Sequence, residues 1–156
     1  MIEIDIPGFG ALRLRCCVMD FNGTLACDGV LIDGVADRLH ALAPRIGLHV
    51  ITADTMGTAR AALSGLPVGL HILAAGGQAQ AKRRAVEALG ADEVVAIGNG
   101  RNDAAMLGHA RLSIAVQGVE GCAVEALQAA HIVARDIRDA MDLLLTPRRA
   151  IATLRD

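Results

Sequence analysis

Four residues of this sequence are of the types that transfer a phosphoryl group, and each stands where the local pattern changes. Asp20 ends the apolar segment CCVM and leads into the turn-forming segment FNGT. Thr52 ends a second apolar segment, LHVI, and Asp103 ends the Gly- and Asn-rich segment GNGRND, with Lys82 between them in the chain. A carboxylate can attack phosphorus and give an aspartyl-phosphate, and an ammonium can neutralise the group in transfer. We therefore predict phosphate chemistry with Asp20 as the nucleophile.

The same segments supply the oxygen ligands that Mg²⁺ prefers in proteins. Asp20 and Asp103 offer carboxylates, and Asn99 offers an amide oxygen. The main-chain carbonyl of Asn22 can add a further ligand. These residues predict a magnesium site.

Thr52 is the expected anchor of the phosphate. Its hydroxyl is a donor, and the free N–H groups that open the next helix attract an anion; Asp54 or Thr55 would cap that helix. Taken singly, the candidate residues have ordinary structural interpretations: Asp20 would close a turn, and Lys82 would be a solvated helix residue. Lys82 is, however, the one lysine among fifteen basic residues, and the ordered set as a whole favours a function.

Short strands that alternate with helices position these residues. The segments IEIDI and LRLR, joined by PGFG, predict an N-terminal β-hairpin, and TLACDGVLI predicts a hairpin flap within about 22–34. The apolar segments CCVM, LHVIT, VGLHIL, EVVAIG, LSIAV and HIVA predict a parallel sheet, with helices at about 35–45, 55–64, 78–89, 102–108, 120–128 and from 136 onwards. We therefore predict an α/β fold, a Rossmann-like doubly wound parallel sheet in a single domain, 1–156, without a cap domain. Ligands bind beyond the carboxyl ends of the strands in such sheets, which is where the candidate residues lie.

Composition narrows the classes of partner. No apolar run reaches the roughly 18 residues of a membrane span, and the acidic, alternating N-terminus is unlike a signal peptide. The formal net charge is −2 without a block of like charge, so we expect neither nucleic acid nor membrane as a partner. The four cysteines and five histidines lack the spacing of zinc ligands. We expect a reduced, cytoplasmic protein that acts on a small polar phosphate, since a chain without Trp or Tyr is poorly equipped to stack a nucleotide base.

The ordered set resembles the motifs of the haloacid dehalogenase (HAD) superfamily of aspartate-nucleophile phosphohydrolases. The first motif of that family, D-x-D-x-T, corresponds to DFNGT, and the fourth, G-D-G-x-x-D, corresponds to GNGRND. Thr52 and Lys82 match the second and third motifs, and together the four cover nearly the whole chain. The segment TAD at 52–54 and the lack of an acid at position 22 resemble the phosphorylation domain of P-type ATPases, so the chain looks like a small, soluble, P-type-ATPase-like HAD protein.

The resemblance implies a Mg²⁺-dependent phosphohydrolase or phosphotransferase with an aspartyl-phosphate intermediate and a small phosphorylated substrate. It implies that the catalytic residues are Asp20, Asn22, Thr52 and Lys82, that the phosphate or substrate contacts are Gly23, Thr24, Thr52, Ala53, Asp54, Lys82 and Asn102, and that the metal ligands are Asp20, Asn22, Asn99 and Asp103. It also implies a homo-oligomer, a dimer or a tetramer, in which a neighbouring subunit covers the site.

Two positions depart from the family pattern. Asn22 stands where the phosphatases carry a second Asp as general acid and base, and such catalysis is typically worth about 10²- to 10⁴-fold. Asn99 stands where they carry a metal-binding Asp, so we expect weaker metal binding. Turnover is therefore expected to be slow, and least slow for substrates with good leaving groups. The alternative hypothesis is a phosphate-binding or phospho-accepting regulatory module with negligible turnover.

Overall fold

Ten strands form three sheets in the computed structural model, which describes all residues from 1 to 156. In chain order the strands are β1 (Ile2–Ile6), β2 (Gly10–Leu14), β3 (Cys16–Met19), β4 (Ala26–Cys27), β5 (Val30–Leu31), β6 (Gly47–Thr52), β7 (Gly69–Ile72), β8 (Val94–Gly98), β9 (Leu112–Val116) and β10 (Ile132–Ala134). Six of them form a sheet in the order β10-β9-β8-β3-β6-β7, and every neighbouring pair is parallel. The predicted parallel sheet is confirmed.

Seven α-helices connect and cover the strands. They are α1 (Val35–Leu42), α2 (Ala59–Ala62), α3 (Gln78–Ala88), α4 (Ala104–Leu107), α5 (Val124–Ala129), α6 (Ile137–Leu145) and α7 (Pro147–Leu154). Buried side chains of α1, α2, α6 and α7 belong to one hydrophobic cluster, and those of α3, α4 and α5 belong to a second. The sheet is therefore covered on both faces, as the doubly wound prediction requires. None of the helices is both long and apolar enough to cross a membrane.

The central strands are apolar at every position because both of their faces are covered. In β3, Cys17 and Met19 face the larger cluster, whereas Val18 faces the smaller one. Strand β8 alternates in the same way along its buried residues, 94 to 97. Complete burial of one such aliphatic side chain contributes roughly 1.5–3 kcal/mol, so packing on both faces fixes β3 and β8, the strands that precede Asp20 and Asn99.

The N-terminal hairpin and the flap are both present. Strands β1 and β2 pair antiparallel and alternate buried and exposed side chains, with Ile2, Ile4, Ile6, Leu12 and Leu14 in the larger cluster. Strands β4 and β5 pair antiparallel around a turn at Asp28 and Gly29, which both have positive φ. The hairpin thus adds to the core, while the flap projects from the carboxyl edge of β3.

Two predicted helices begin later than expected, and a third begins as a 3₁₀ turn. The helix expected at 55–64 is the four-residue α2, because the Asp54 carboxylate accepts hydrogen bonds from the N–H groups of Thr58 and Ala59 and so holds 54–58 as a turn. The helix expected at 120–128 begins at Val124, after Gly121 with φ near +82°. The helix expected at 102–108 starts as a 3₁₀ turn, 101–103, before α4. Side-chain hydrogen bonds and glycine dihedral angles decided these boundaries against the apolar periodicity.

Candidate active site

The candidate residues converge at the carboxyl edge of three adjacent strands. Asp20 directly follows β3, Thr52 is the last residue of β6, and Asn99 directly follows β8. Strand β3 lies between β6 and β8 in the sheet. The N–H of Asp20 donates to the Ile97 carbonyl of β8 at 3.0 Å, so the ladder continues up to the carboxylate and fixes where its side chain begins.

Lys82 connects two carboxylates in the interior. Its Nζ donates to Oδ1 of Asp20 and to Oδ1 of Asp103, each at 2.6 Å. Lys82 is 0% exposed, and Asp20 and Asp103 are 7% and 0% exposed. The lysine lies on the same face of α3 as the buried Val86, one turn later, which explains how an otherwise polar helix delivers an ammonium to the sheet edge. Arg could not replace it as a compact point charge between two oxygens.

Asp103 is held by the main chain as well as by Lys82. Its Oδ2 accepts hydrogen bonds from the N–H groups of Asn99 and Gly100, at 3.0 and 2.8 Å. This contact requires glycine at position 98, because a Cβ there would lie 2.6 Å from the carboxyl carbon of Asp103. The first glycine of the GNGRND segment, Gly98, is thus a close-packing residue.

The electrostatic balance of this group is negative. Burial, the stronger cause, and the Asp103 carboxylate raise the pKa of Asp20 to about 7, and the adjacent Lys82 ammonium only partly offsets them. Burial lowers the pKa of Lys82, but the two carboxylates outweigh it and raise that pKa above its ordinary value. One ammonium therefore stabilises two buried carboxylates incompletely, and the group retains an uncompensated negative charge.

The segment that follows Asp20 packs tightly against Asn99. Thr24 is fully buried, and its hydroxyl donates to the amide oxygen of Asn99 at 3.2 Å, while the Asn99 amide nitrogen donates to the Gly121 carbonyl at 3.1 Å. Gly23 has φ near +76°, and a Cβ on it would lie 2.5 Å from that amide nitrogen. The Asn22 side-chain oxygen is buried without a hydrogen-bond partner. Asn99 therefore ties the turn after β3 to the loop after β9.

Thr52 and Asp54 form a turn at the end of β6. The hydroxyl oxygen of Thr52 accepts a hydrogen bond from the N–H of Asp54 at 3.0 Å, with Ala53 between them. The Asp54 carboxylate accepts hydrogen bonds from the N–H groups of Thr58 and Ala59 at the start of α2, at 2.9 and 3.0 Å. The N-cap of α2 is Thr58, so neither Asp54 nor Thr55 occupies the predicted capping position. The Asp54 carboxylate instead takes the N–H groups that were expected to be free for an anion.

Asn102 lies on the 3₁₀ turn that follows β8, next to Asp103. Its amide nitrogen donates to the side-chain oxygen of Gln78, the first residue of α3, at 3.0 Å. An open cleft of about 490 Å³ is lined by Ala79, Arg101 and Asn102. Arg101 is exposed and pairs with Glu125 at 3.2 Å. The cleft lies at the N-terminal end of α3, and Asp20, Thr52 and Lys82 do not line it.

Sequence reasoning missed Glu120, which lies on the loop between β9 and α5. One carboxylate oxygen accepts a hydrogen bond from the N–H of Asp28 in the flap at 3.2 Å, and the other lies 2.9 Å from where a Gly23 Cβ would be. Cys27, Asp28 and Glu120 have potential ligand atoms within 4.8 Å of one another. The sequence could have indicated Glu120, because the strand LSIAV ends at the same sheet edge as the other parallel strands. The loop that follows it therefore lies beside the loops that carry the predicted site residues.

Sequence comparison finds relatives of unassigned activity. No family model matches the chain. An uncharacterised protein of the archaeon Methanocaldococcus jannaschii is 47% identical over 64 residues, which are 41% of this chain and 69% of that protein. A second uncharacterised protein of the same organism is 42% identical over 38 residues, 24% of this chain and 86% of that protein.

Comparison with solved structures finds phosphatases of similar fold. The cobalt-bound deoxy-D-mannose-octulosonate 8-phosphate phosphatase of Haemophilus influenzae has a TM-score of 0.71 at 15% identity, with 88% of this chain and 90% of that chain covered. The 3-deoxy-D-manno-octulosonate 8-phosphate phosphatase of Moraxella catarrhalis, in complex with magnesium, phosphate and the sugar, has a TM-score of 0.65 at 18% identity, covering 91% and 94%. A phospho-aspartyl intermediate analogue of phosphoserine phosphatase has a TM-score of 0.66 at 13% identity, covering 85% and 99%.

Proposed function

The chain belongs to one family with the Methanocaldococcus jannaschii protein and has the fold of the HAD hydrolases, and from this premise we propose that it is a phosphohydrolase that acts on small phosphorylated molecules. The observation that carries the proposal is Lys82, fully buried with its ammonium 2.6 Å from both Asp20 and Asp103. Burying a charge is costly unless it is paired, and three charged groups at a strand end are typical of a functional site.

In the proposed reaction, a carboxylate oxygen of Asp20 attacks phosphorus. The new Asp20–phosphorus bond forms as the bond to the leaving oxygen breaks, and water then attacks phosphorus and releases Asp20. Lys82 binds a phosphoryl oxygen and offsets its charge, and the Thr52 hydroxyl with the main-chain N–H of Ala53 binds the others, since the N–H of Asp54 already donates to Thr52. Asp103 holds Lys82 in place, and its own position is set by two main-chain N–H groups. Positioning and charge stabilisation supply most of the catalysis in phosphoryl transfer.

A divalent cation fits this group of residues. The negative charge left over beside Lys82 and the raised pKa of Asp20 both favour an additional cation, which would return Asp20 to its reactive, ionised form. The carboxylate of Asp20, the main-chain carbonyl of Asn22, the Asn99 amide oxygen and Asp103 are the oxygen donors that would hold Mg²⁺. Bound there, Mg²⁺ would neutralise charge that develops on the phosphoryl oxygens. The magnesium and cobalt in two similar phosphatases support this assignment.

Slow turnover is part of the proposal. The Asn22 side-chain oxygen is buried and an amide does not exchange a proton at neutral pH, so the leaving group must depart without help from position 22. Acyl phosphates and phosphoanhydrides meet this condition better than alkyl phosphates. The same residue favours the alternative function, a phospho-accepting module in which Asp20 is phosphorylated and turnover is negligible.

The apolar rim of the site supports a homo-oligomer. Val30 of the flap, Met56 after β6, and Val119 and Val124 after β9 are between 56% and 88% exposed. Exposed apolar clusters mark interaction surfaces, and a second copy placed against this edge would cover the site. Light scattering after size-exclusion chromatography tests the assembly, and Val119→Asp is expected to dissociate it. A monomer at all concentrations would contradict the assembly and leave the proposed chemistry intact.

An intact-mass experiment tests the chemistry. The protein is incubated with Mg²⁺ and acetyl phosphate beside Asp20→Ala and a control, Asp5→Ala, which removes an exposed carboxylate from β1. A phosphoryl adduct on the wild type and the control alone identifies Asp20 as a live nucleophile and favours the slow enzyme or the phospho-acceptor. Phosphate release that depends on Asp20, without an adduct, identifies a competent phosphatase. If the wild type gives neither an adduct nor phosphate release, the proposed chemistry is contradicted.

A further inference from the structure

Neighbouring loops contact the flap on two sides. The flap tip is the turn at Asp28 and Gly29 between β4 and β5. On one side the N–H of Asp28 donates to the Glu120 carboxylate at 3.2 Å. On the other side a Cβ on Gly29 would lie 2.8 Å from the Thr58 hydroxyl and 3.4 Å from the Met56 sulfur. The tip therefore touches both the loop after β9 and the loop after β6.

The strand order shows which strand ends lie between the two loops that the flap contacts. Strands β8 and β3 lie between β9 and β6 in the sheet. A segment that contacts the loops after both β9 and β6 therefore crosses the carboxyl ends of β8 and β3, which lie between them. Those ends carry Asp20 and Asn99. The flap is thus laid across the candidate site.

Glu120 reaches the base of the flap as well as its tip. Its second carboxylate oxygen lies 2.9 Å from where a Gly23 Cβ would be, beside the Asn99 amide, which is 2.5 Å from the same point. The loop itself packs here too, because a Cβ on Gly118 would be 3.3 Å from the Gly23 carbonyl oxygen. One carboxylate therefore spans from the turn next to Asn22 to the flap tip.

We propose that Glu120 is a positioning residue that latches the flap across the Asp20 site by accepting the Asp28 N–H. The inference rests on the proposed phosphohydrolase function for its catalytic consequence, while the latch itself is a property of the fold. Opening the flap breaks a hydrogen bond to a charged acceptor, which is stronger than one to a neutral group. Glu120 thereby sets the fraction of molecules in which the flap is closed over the site.

Two substitutions separate a latch from an acid–base role. Glu120→Gln keeps a side-chain oxygen that can accept the Asp28 N–H but cannot take up a proton. Glu120→Ala removes the acceptor. A latch predicts that the Gln variant remains close to wild type and the Ala variant does not, whereas a general base predicts a similar loss in both, of about 10²- to 10⁴-fold in kcat.

The experiment measures exchange of the Asp28 amide with water by NMR, in the presence of a chelator so that no cation bridges Cys27, Asp28 and Glu120. We expect Glu120→Ala to speed this exchange by at least about fivefold, the factor that one net hydrogen bond supplies. Glu120→Gln is expected to stay within about twofold of wild type on the same grounds. The amide of Thr146, which donates to the Asp142 carbonyl at the end of α6, is the internal control. Glu3→Ala, an exposed carboxylate on β1, is the matched control variant.

Kinetics with acetyl phosphate supply the second measurement. The latch predicts a rise in KM of several-fold for Glu120→Ala with a smaller change in kcat, and little change for Glu120→Gln. Unchanged Asp28 exchange in the Ala variant, or equal losses of kcat in both variants with unchanged exchange, would overturn the latch. If wild type itself does not turn over, the proposed function fails, and the exchange data still decide whether Glu120 holds the flap.

Discussion

Replacing the candidate nucleophile should stabilise the metal-free protein at alkaline pH. In Asp20→Asn the amide oxygen can still accept from Lys82, but the buried negative charge is gone. The pKa of Asp20 is raised from 3.8 to about 7, first by burial and then by Asp103. A rise of that size corresponds to a cost of up to about 4 kcal/mol for the ionised carboxylate in the folded state. We expect the Asn variant to gain about 2–4 kcal/mol of unfolding free energy at pH 8.

The gain should depend on pH in a definite direction. The unfolded chain releases the Asp20 proton near pH 4, whereas the folded protein retains it until about pH 7. The folded state therefore binds more protons between these values, and the contribution of Asp20 to wild-type stability falls as pH rises through this range. The Asn variant lacks this contribution, so the difference between the two proteins should be small at pH 4.5 and largest at pH 8.

Urea unfolding at several pH values, with a chelator present, measures this difference. Asp5→Asn, which neutralises an exposed carboxylate, is the control and should follow the wild type. A constant difference between Asp20→Asn and wild type across pH, or an Asn variant that is less stable at pH 8, would refute the electrostatic reasoning. Added Mg²⁺ should then raise the stability of the wild type at pH 8 more than that of Asp20→Asn, since a ligand stabilises the state that binds it.

Other substitutions test separate parts of the site and fold. Asn22→Asp should raise the phosphatase rate by about 10²- to 10⁴-fold, because it restores a proton-transfer group; steady-state assays with acetyl phosphate and an alkyl phosphate measure it, and no rise in either would favour the regulatory module. Gly98→Ala should cost about 1–3 kcal/mol in urea unfolding and reduce phosphorylation of Asp20, because its methyl group would displace Asp103; Gly47→Ala, at a strand glycine without positive φ where a Cβ would make only ordinary contacts from 3.5 Å, controls for the backbone change. Asp136→Ala should cost about 1 kcal/mol because Asp136 caps α6. Hydrogen bonds from Arg138, the main cause, lower the pKa of Asp136 to about 2, so this contribution should be complete above about pH 4 and lost as pH falls towards 2; an unfolding difference that persists at pH 2 would contradict it.

The architecture and the neighbourhood of the site could be predicted from the sequence because they depend on local patterns. Continuous apolar segments separated by helices predict a parallel sheet with both faces covered, and the six-stranded sheet confirms it. Asp20, Thr52 and Asn99 were expected at one edge because parallel strands bring their carboxyl ends together. The helix boundaries were less predictable: a single Asp54 side chain shortens the helix expected at 55–64 to α2. Periodicity does not register a hydrogen bond between a side chain and the main chain.

Tertiary structure alone decided which groups touch. The sequence determined that Asp20, Lys82 and Asp103 would be available, and that Asn22 would supply no acid. It did not determine that Lys82 would lie 2.6 Å from two carboxylates that are 62 and 21 residues away in the chain. Nor did it determine that Glu120 would reach the flap across 92 residues. Such contacts depend on the order of strands in the sheet and on how closely glycines 23, 98 and 118 let loops approach, and both are settled only when the whole chain packs.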